Sequence, residues 1–413
     1  MSIAVEAARI ALLGCGAVGG AFATLARTAH PGTRPLQITG ALVRDLHRAR
    51  PLTLPPITDD AQLLLGSEPD VIVELLGGTE PARALILNAL HRCIPVVTAN
   101  KTVLAHHGAE LREAARATGT PLLYEAAVIA GVPFLGTLAR RGRAAAATSL
   151  VGIVNGTSNF VLTRCGGEGT TLPAAIAEAQ RRGYAEADPS VDVDGIDARD
   201  KLAVLLQQSA HAAVAPDSIE TSGLNAIVDL HNVHARELGG TIKPLVFADW
   251  KRGQIEAFVG PAFVPFSHHL ASVDGVENAI ALDTRGGRLI FQGPGAGPDV
   301  TAVTVLDDVN EVLAGLGRVP AAAKPASVIA PATGWLVALE GARLPDGPDV
   351  ADLLASHGLF ASRTTATVTR GGRESRSLLL WPVARPVLDR ALSALCAAAG
   401  CTASALRALA VER

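Results

Sequence analysis

The sequence lacks the features of secreted and membrane proteins. Its five cysteines form no C-x-x-C pair, and this odd, scattered set favours reduced thiols over a disulfide framework. The apolar runs are well short of the roughly 20 residues that a membrane span needs. The first residues, MSIAVEAARI, lack a basic stretch followed by a long apolar region, so we expect no secretion signal. The expected location is the cytoplasm.

A strong charge of either sign is also missing. The 413 residues have a formal net charge of -3, which supplies no basic field for nucleic acid and no polybasic patch for a membrane. Hydrophobic residues make up 49% and charged residues 18%, a composition too apolar for a disordered chain. At roughly 150 residues per domain, this length predicts two or three domains with a large core.

Lysine is scarce in a chain whose basic residues are mostly arginine. The lysines are Lys101, Lys201, Lys243, Lys251 and Lys324, and the remaining 31 basic residues are arginines. Arginine keeps its proton at working pH, whereas burial or a neighbouring charge can tune a lysine to release its proton. A site that needs a proton donor is therefore a place where arginine would fail, and each retained lysine is a candidate.

A glycine-rich turn follows the first apolar run. The run at residues 8–14 opens into G-x-G-x-x-G, placed between a predicted strand and a predicted helix as the dinucleotide fingerprint requires. The N-terminus of such a helix offers N–H groups to a pyrophosphate. The alternative is a purely structural glycine turn. The predicted cofactor-binding residues here are Gly14, Gly16, Ala17, Val18 and Gly19.

Further strand and helix units continue the same pattern. Such alternation predicts an α/β fold of the Rossmann type, with a doubly wound parallel sheet. Strands are predicted at residues 36–43, 70–78, 95–100 and 121–128, and helices at 81–93 and 107–119. The second strand ends at Val43, Arg44 and Asp45. An acidic residue at this tip would bind the ribose of NAD, whereas Arg44 suits the 2′-phosphate of NADP or is a solvated surface charge. The pattern favours NADP.

The chain is predicted to contain four segments. Residues 1–132 would form the NAD(P)-binding domain and residues 133–318 an α+β substrate domain whose last helix returns to the nucleotide domain. Residues 319–331 are rich in Pro and Ala and read as a linker. Residues 332–413 predict a βαββαβ module of the ferredoxin-like kind. In the substrate domain, residues 149–163 are predicted to be strand-like.

An acidic segment, GYAEADPSVDVDGIDARDK, is the densest polar cluster of the sequence. If a helix starts near Ile196, Asp197 and Lys201 lie one turn apart on the same face. The alternative is a solvated capping loop in which Asp197 favours the helix dipole and Lys201 is its ion-pair partner. A calcium-binding loop is a further interpretation, but this segment lacks the ligand spacing that such a loop requires.

Two other polar groups also have more than one interpretation. Asn100 and Lys101 follow a predicted buried strand, at the sheet edge where open α/β folds bind ligands, although Lys101 could also be a surface lysine at a helix start. His231 and His234, with Glu237, could suggest a metal site. Because a catalytic zinc site needs three well-placed ligands, we expect these histidines on the polar face of a helix.

Six motifs, in this order and spacing, resemble homoserine dehydrogenase over about residues 8–315. They are GCGAVGG, VVTANK, YEAAVIAGVP, GIVNGTSNF, GYAEADPSVDVDGIDARDK and GPGAG. The C-terminal module resembles the ACT-type regulatory domain of many bacterial members, although its LPDGPDVADLL departs from their usual Arg-Pro-Gly turn.

The resemblance implies an NAD(P)-dependent oxidoreductase that interconverts L-homoserine and L-aspartate 4-semialdehyde, in threonine, methionine and isoleucine biosynthesis. The family's catalytic lysine falls on Lys201 and its second active-site lysine on Lys101. The substrate-binding acids fall on Glu186 and Asp197, with Asp192 beside them. An alcohol releases hydride readily only if its hydroxyl proton also leaves, and a lysine can accept that proton when a nearby charge or burial favours its neutral form.

The resemblance also implies cofactor and cation contacts. The further cofactor-binding positions are Asn155, Gly156 and Thr157, with Gly293, Gly295 and Gly297 bringing backbone close to the cofactor. A monovalent cation, Na⁺ or K⁺, would bind Glu125 and the carbonyl groups of Val128, Ala130 and Val132, where Ile129-Ala130 replaces the family's Gly-rich stretch. Family members dimerise through the substrate domain, so we expect a homodimer or larger assembly, and threonine is a possible effector.

Two alternatives remain at this point. Another Rossmann dehydrogenase, such as a semialdehyde dehydrogenase, would need a thiolate nucleophile beside a base, and none of the cysteines stands in such a setting. A nucleotide-sensing regulatory protein would have no need of Lys101, Lys201, Glu186 and Asp197 together.

Overall fold

The computed structural model describes residues 6–28, 33–48, 55–140, 147–168, 170–227 and 229–409. Contacts between residues divide the chain into two compact units. The first unit comprises Met1–Thr148, Asp200–Pro216 and Leu282–Ser327, and the second comprises Ser149–Arg199, Asp217–Ala281 and Val328–Arg413. Because contacts define these units, each gathers stretches that are distant in sequence, whereas the predicted domains are contiguous.

The strands and helices of the described residues have the following bounds. The strands are β1 (Ala8–Leu13), β2 (Leu36–Leu42), β3 (Ile57–Thr58), β4 (Val71–Glu74), β5 (Val96–Thr98), β6 (Leu122–Leu123), β7 (Ala147–Ile153), β8 (Ala212–Ala213), β9 (Glu220–Thr221), β10 (Gly240–Asp249), β11 (Ile255–Pro265), β12 (Glu277–Thr284), β13 (Gly287–Pro294), β14 (Lys324–Pro325), β15 (Val328–Ile329), β16 (Thr333–Gly341), β17 (Ala361–Thr364), β18 (Val368–Arg370), β19 (Arg373–Val383) and β20 (Cys401–Ala408). The helices are α1 (Ala17–Leu25), α2 (Ala61–Leu65), α3 (Ala82–His91), α4 (Lys101–Thr118), α5 (Leu135–Arg140), α6 (Gly156–Glu168), α7 (Leu172–Arg181), α8 (Ser190–Val193), α9 (Ile196–Ser209), α10 (Asp229–Glu237), α11 (Pro298–Leu313), α12 (Gly347–Ser356) and α13 (Arg385–Ala399).

The first unit contains a six-stranded sheet in the order β3-β2-β1-β4-β5-β6. Every neighbouring pair is parallel. This is the strand order of the Rossmann fold, in which the order reverses between β1 and β4 and ligands bind at the carboxyl ends of the strands. The predicted fold class is therefore confirmed, and the glycine turn after β1 lies at that switch point.

Helix α11 completes the core of this unit. Its buried residues Ala302, Val305 and Val309 pack with Ile10 of β1 and Phe22 of α1. Burying a side chain of Val, Leu, Ile or Phe is worth about 1.5–3 kcal/mol, so this packing anchors α11 firmly to the sheet. Helix α11 therefore belongs to the core of the first unit.

The second unit is built on a mixed sheet in which β7, β10, β11, β20, β16, β19 and β17 are successive neighbours. The hairpin of β10 and β11 is antiparallel from Gly240↔Pro265 to Asp249↔Glu256. β11 then pairs with β20 in parallel, through Ala262↔Arg407 and Phe263↔Ala408. The C-terminal segment thus extends the sheet of the substrate-domain strands.

The C-terminal segment has the connectivity β16, α12, β17, β19, α13, β20, with the short β18 added before β19. β16 lies between β20 and β19 and is antiparallel to both. This agrees with the predicted βαββαβ pattern. Helices α12 and α13 cover one side of these strands, through Val350, Leu354 and Leu388 packed on Val337 and Leu378.

Part of the strand prediction for residues 149–163 is wrong. β7 ends at Ile153, and helix α6 begins at Gly156. The reason is local: the side-chain oxygen of Asn155 accepts a hydrogen bond from the amide of Ser158 at 2.7 Å, which caps the first turn of α6.

The predicted polar face of α10 is also wrong. His231 and His234 are almost fully buried, at 0% and 1% exposure. Nε2 of His231 lies 3.2 Å from the hydroxyl of Ser404 in β20, and Nε2 of His234 lies 3.4 Å from that of Ser375 in β19. The two histidines face the C-terminal strands, and burial lowers the pKa of His231 to about 4.

Within the described ranges, no helix has the length and apolar character to cross a membrane.

Candidate active site

The glycine turn of the first unit leaves open space at the start of α1. Gly14 has a φ of +101°, and a Cβ at this position would lie 2.6 Å from the carbonyl oxygen of Leu75. A Cβ on Gly19 would lie 2.3 Å from the carbonyl oxygen of Gly14. Around Gly16, by contrast, the described residues other than its own chain neighbours leave no atom within 4 Å of the Cβ position. This is the arrangement that lets a pyrophosphate approach the backbone at Gly16 and the N-terminus of α1.

A cleft of about 250 Å³ adjoins this turn and brings the two predicted lysines together. Both Lys101 and Lys201 are half-buried. The lining includes Val18, Gly77, Asn100, Lys101, Ala130, Lys201, Gly295 and Thr301, all from the first unit. Residues predicted from five separate motifs therefore line one cleft, at the carboxyl ends of β4 and β5.

Asn100 caps the helix that begins with Lys101. Its side-chain oxygen accepts from the amide of Val103 at 3.1 Å and caps α4, which begins at Lys101. Its side-chain amide donates to the carbonyl of Gly78 at 2.7 Å and to Oε1 of Glu74 at 3.3 Å. The start of α4 and the loop containing Gly77 are thus held by the same side chain.

Glu74 is a residue that the sequence reasoning missed. It is fully buried at the end of β4 and accepts hydrogen bonds from the hydroxyl of Thr98 at 2.5 Å and from the amide of Leu76 at 2.7 Å. Burial raises the pKa of its carboxyl group, and these hydrogen bonds partly oppose that rise. A single acid at the end of the apolar run Val71–Val73 was the signal that could have identified it.

The predicted cation residues include a buried carboxylate. Glu125, 8% exposed, accepts from the amides of Leu135 at 2.7 Å and Gly136 at 2.5 Å. The carbonyl of Ala130 accepts from Thr304, and that of Val132 from the amide of Phe134 at 2.9 Å. These oxygens each have a second lone pair, and hard oxygen donors of this kind suit a cation.

A further acid, Asp308 of α11, lies beside this group and was also missed. Its Oδ2 accepts from the amide of Glu125 at 2.9 Å. Burial, together with repulsion from Glu125, raises the pKa of Asp308 to about 8. A wider cavity, about 990 Å³, opens beside Glu125 and Asp308 in the same unit.

The predicted substrate acids lie in the second unit. The side-chain amide of Asn155 donates to Asp192 at 2.7 Å and to Asp197 at 2.8 Å. Asp197 is buried and Asp192 is half-buried, whereas Glu186 is exposed. One amide therefore orients two carboxylates, and Asn155 also caps α6.

Thr157 makes a further contact with the acidic segment. The hydroxyl of Thr157, which follows Gly156 at the start of α6, donates to the carbonyl of Tyr184 at 2.7 Å. Helix α9 begins at Ile196, the start that a shared face of Asp197 and Lys201 requires. Asp197 therefore lies in its first turn and Lys201 one turn later.

The remaining predicted cofactor-binding residues are Arg44, Gly293 and Gly295. Arg44 is exposed, two residues beyond the end of β2, and Asp45 accepts from the amide of His47 at 2.8 Å. Gly293 lies in β13, and the carbonyl of Gly295 accepts from the amide of Ala130 at 2.9 Å.

Known protein families match two consecutive segments of this chain. Residues 14–125 match the family described as homoserine dehydrogenase, NAD binding domain, and residues 133–309 match the homoserine dehydrogenase family. A homoserine dehydrogenase of Synechocystis is 37% identical over 317 residues, which cover 74% of this chain and 73% of the relative. The chain belongs to the homoserine dehydrogenase family.

Solved structures agree with this membership. A homoserine dehydrogenase of Thiobacillus denitrificans matches with a TM-score of 0.88 and 30% identity, covering 98% of each chain. A hyperthermophilic archaeal homoserine dehydrogenase in complex with NADPH matches with a TM-score of 0.64 and 26% identity, covering 76% of this chain and 100% of the other. As a homoserine dehydrogenase, the chain is an oxidoreductase that acts on a small-molecule substrate with a nicotinamide cofactor.

Proposed function

We propose that Lys201 is the general acid/base of the reaction and that Lys101 assists it electrostatically and as a proton relay. The observation that carries this proposal is the shared cleft of about 250 Å³ beside the glycine turn. When bound, the nicotinamide supplies the hydride transfer. Nζ of Lys201 accepts the hydroxyl proton when homoserine is oxidised to L-aspartate 4-semialdehyde, and returns it to the aldehyde oxygen in the reverse direction.

The charge of Lys101 supports this proton transfer. Both lysines are half-buried and line the same cleft, so their amino groups can act together on one bound substrate. An arginine at either position would hold its proton at any working pH, so it could serve neither role.

We assign substrate binding to Glu186, Asp192 and Asp197, whose carboxylates would hold the ammonium group of homoserine. Asp192 and Asp197 are supported in this role by the amide of Asn155, which holds both carboxylates in place. A charge-assisted hydrogen bond between ammonium and carboxylate is stronger than a neutral one, and this suits recognition of an amino acid.

The proposed cofactor contacts extend from the glycine turn outward. Gly14, Gly16, Ala17, Val18 and Gly19 would hold the pyrophosphate, supported by the open space at Gly16. The other proposed cofactor-binding residues are Asn100, Lys101, Asn155, Gly156, Thr157, Gly293 and Gly295. Arg44 would favour NADP over NAD, since its exposed guanidinium lies beyond the end of β2, where a 2′-phosphate would bind.

We propose that Na⁺ or K⁺ binds the carboxylate of Glu125 and the carbonyl groups of Val128, Ala130 and Val132. The oxygen donors fit such an ion, and its charge would compensate the buried carboxylate. Its expected contribution is to hold the segment 125–132, part of which lines the lysine cleft.

We also propose that residues 332–413 act as an ACT-like regulatory module and that the protein forms a homodimer or larger assembly. The βαββαβ connectivity supports the module, and threonine is the effector to test first. If threonine changes neither activity nor thermal stability, the module is structural only.

The direct test follows the absorbance of reduced nicotinamide with purified protein, L-homoserine and either NAD or NADP. Reduction that depends on homoserine, and is faster with NADP, is the expected result. Absence of turnover with both cofactors, in several monovalent salts and with cofactor binding still detectable, would overturn the proposed roles and favour a nucleotide sensor.

A further inference from the structure

We propose that Glu74 is a positioning residue for the reaction, acting through Asn100 on the start of the helix that carries Lys101. The proposal rests on the role given to Lys101 above. Glu74 has 0% exposure, so it touches neither solvent nor a bound substrate directly. Its effect on the chemistry must therefore pass through its hydrogen-bond partners.

These partners lie on three different segments that meet at the cleft. Thr98, at the end of β5, donates its hydroxyl hydrogen to Oε2 of Glu74, and Leu76, in the loop after β4, donates its amide hydrogen to Oε1. Asn100, at the cap of α4, donates its side-chain amide hydrogen to the same Oε1. The carboxylate joins the ends of two neighbouring parallel strands to the first turn of a helix.

Asn100 connects Glu74 to two of the segments that line the cleft. Its contact with Val103 fixes the first turn of α4, and its contact with the carbonyl of Gly78 fixes the loop that contains Gly77. The backbone amide of Asn100 also donates to Thr98 at 3.0 Å. Lys101 and Gly77 both line the cleft, so loss of the Glu74 acceptors would loosen two of its walls together.

The donors to Glu74 are all uncharged groups, which indicates what the residue contributes. A neutral amide of the same shape can offer one oxygen to Leu76 and Asn100, while its N–H₂ donates to the hydroxyl of Thr98. The role therefore needs hydrogen-bond acceptors at this place more than it needs the negative charge.

The test compares Glu74→Ala with Glu74→Gln in the full chain. For Glu74→Ala, we expect kcat to fall about 10-fold to 100-fold, because small misplacements of a catalytic group cost this much. The KM for homoserine should change by less than about threefold, since the proposed substrate acids lie elsewhere. Glu74→Gln should restore kcat to within about threefold of the unchanged enzyme.

Two further variants keep the proposal falsifiable if Glu74→Ala folds poorly. Asn100→Ser retains a capping side chain but loses the bonds to Glu74 and Gly78, and should show the same loss of kcat. Asp70→Ala is the matched control: it removes an acceptor at the other end of the same strand, where Asp70 accepts from the amide of Arg9 at 2.8 Å, and should leave kcat unchanged.

A double variant decides whether Glu74 acts through Lys101. If it does, Glu74→Ala lowers kcat much less in a Lys101→Met background than in the unchanged enzyme. Equal loss in both backgrounds, or normal kcat in folded Glu74→Ala, overturns the inference. Normal turnover of Lys101→Met instead overturns the proposed role of Lys101, which separates the two failures.

Discussion

Basic side chains have two contrasting settings in this chain. In the first unit, Lys101 and Lys201 are half-buried and line a cleft beside the glycine turn. In the second unit, Lys243 is 1% exposed and donates to the carbonyl of Val273 at 2.7 Å and to Asp274 at 2.6 Å. All three are among the few lysines of an arginine-rich chain, so scarcity alone does not identify a catalytic residue.

Arg407 shows the second setting most completely. Its guanidinium donates to the carbonyl of Pro331, the hydroxyl of Thr333 and the carboxylate of Glu220. The guanidinium carbon lies 4.9 Å from the ring centre of Phe258 and 4.8 Å from that of Trp335. A cation enclosed in this way joins strands, whereas a cation that faces a cleft can exchange a proton with a ligand.

The largest expected effect concerns a lysine that lines the cleft. Lys201→Met should lower kcat about 10³-fold, because it removes the proposed proton acceptor, and should leave the thermal midpoint nearly unchanged. Lys243→Met is the matched control, with the same substitution at an enclosed lysine, and should retain kcat within about twofold. Steady-state kinetics and thermal unfolding of both variants provide the measurement. Near-normal turnover of folded Lys201→Met would contradict the assignment.

Arg407→Ala tests how much an enclosed cation contributes to stability. It should destabilise the protein by about 3 kcal/mol, because it removes the contacts with both rings and leaves the carbonyl of Pro331 without its donor. Thermal unfolding measures the loss. Arg385→Ala is the control: Arg385 lies over the Trp335 ring at 5.5 Å but is exposed, so its removal should cost below about 1 kcal/mol. Equal shifts in the two variants would show that enclosure does not decide the contribution.

The smallest expected effect concerns a basic residue in neither setting. Arg44 is exposed beyond β2, and Arg44→Ala should raise the KM for NADP about 10-fold with little change for NAD, since only NADP has the 2′-phosphate. Kinetics with each cofactor provide the measurement, and Arg48→Ala, four residues later, is the control. Equal changes with NAD and NADP would sink the proposed preference for NADP.

The parallel α/β class of the first unit was predictable because it depends on local patterns. The apolar runs at residues 8–14 and 70–78 contain β1 and β4, and the strand of the glycine turn is followed directly by α1. The spacing of Asp197 and Lys201 placed them on one face on the condition that a helix starts near Ile196, and α9 starts there. Such signals lie within a few residues of the structure they specify.

The buried polar contacts were less accessible. His231 and His234 follow a spacing that suits the exposed face of a helix, yet their partners Ser404 and Ser375 lie more than a hundred residues away. Glu74 was missed for the same reason, because its role depends on hydrogen bonds from Thr98 and Asn100, which belong to the next strand and helix. A residue's polarity shows that it needs a partner but does not name that partner.

By itself, the sequence determined the nucleotide-binding fold, the glycine turn at Gly16, and the position of Lys201 one helical turn after Asp197. These features depend on apolar periodicity, glycine geometry and helix spacing, which act over short stretches of chain. Only the tertiary structure decided that Lys101 and Lys201 share one cleft, that Glu74 ties its walls together and that β20 joins β11. Those outcomes depend on which distant surfaces pack and which buried groups find partners, and this is settled only when the whole chain has folded.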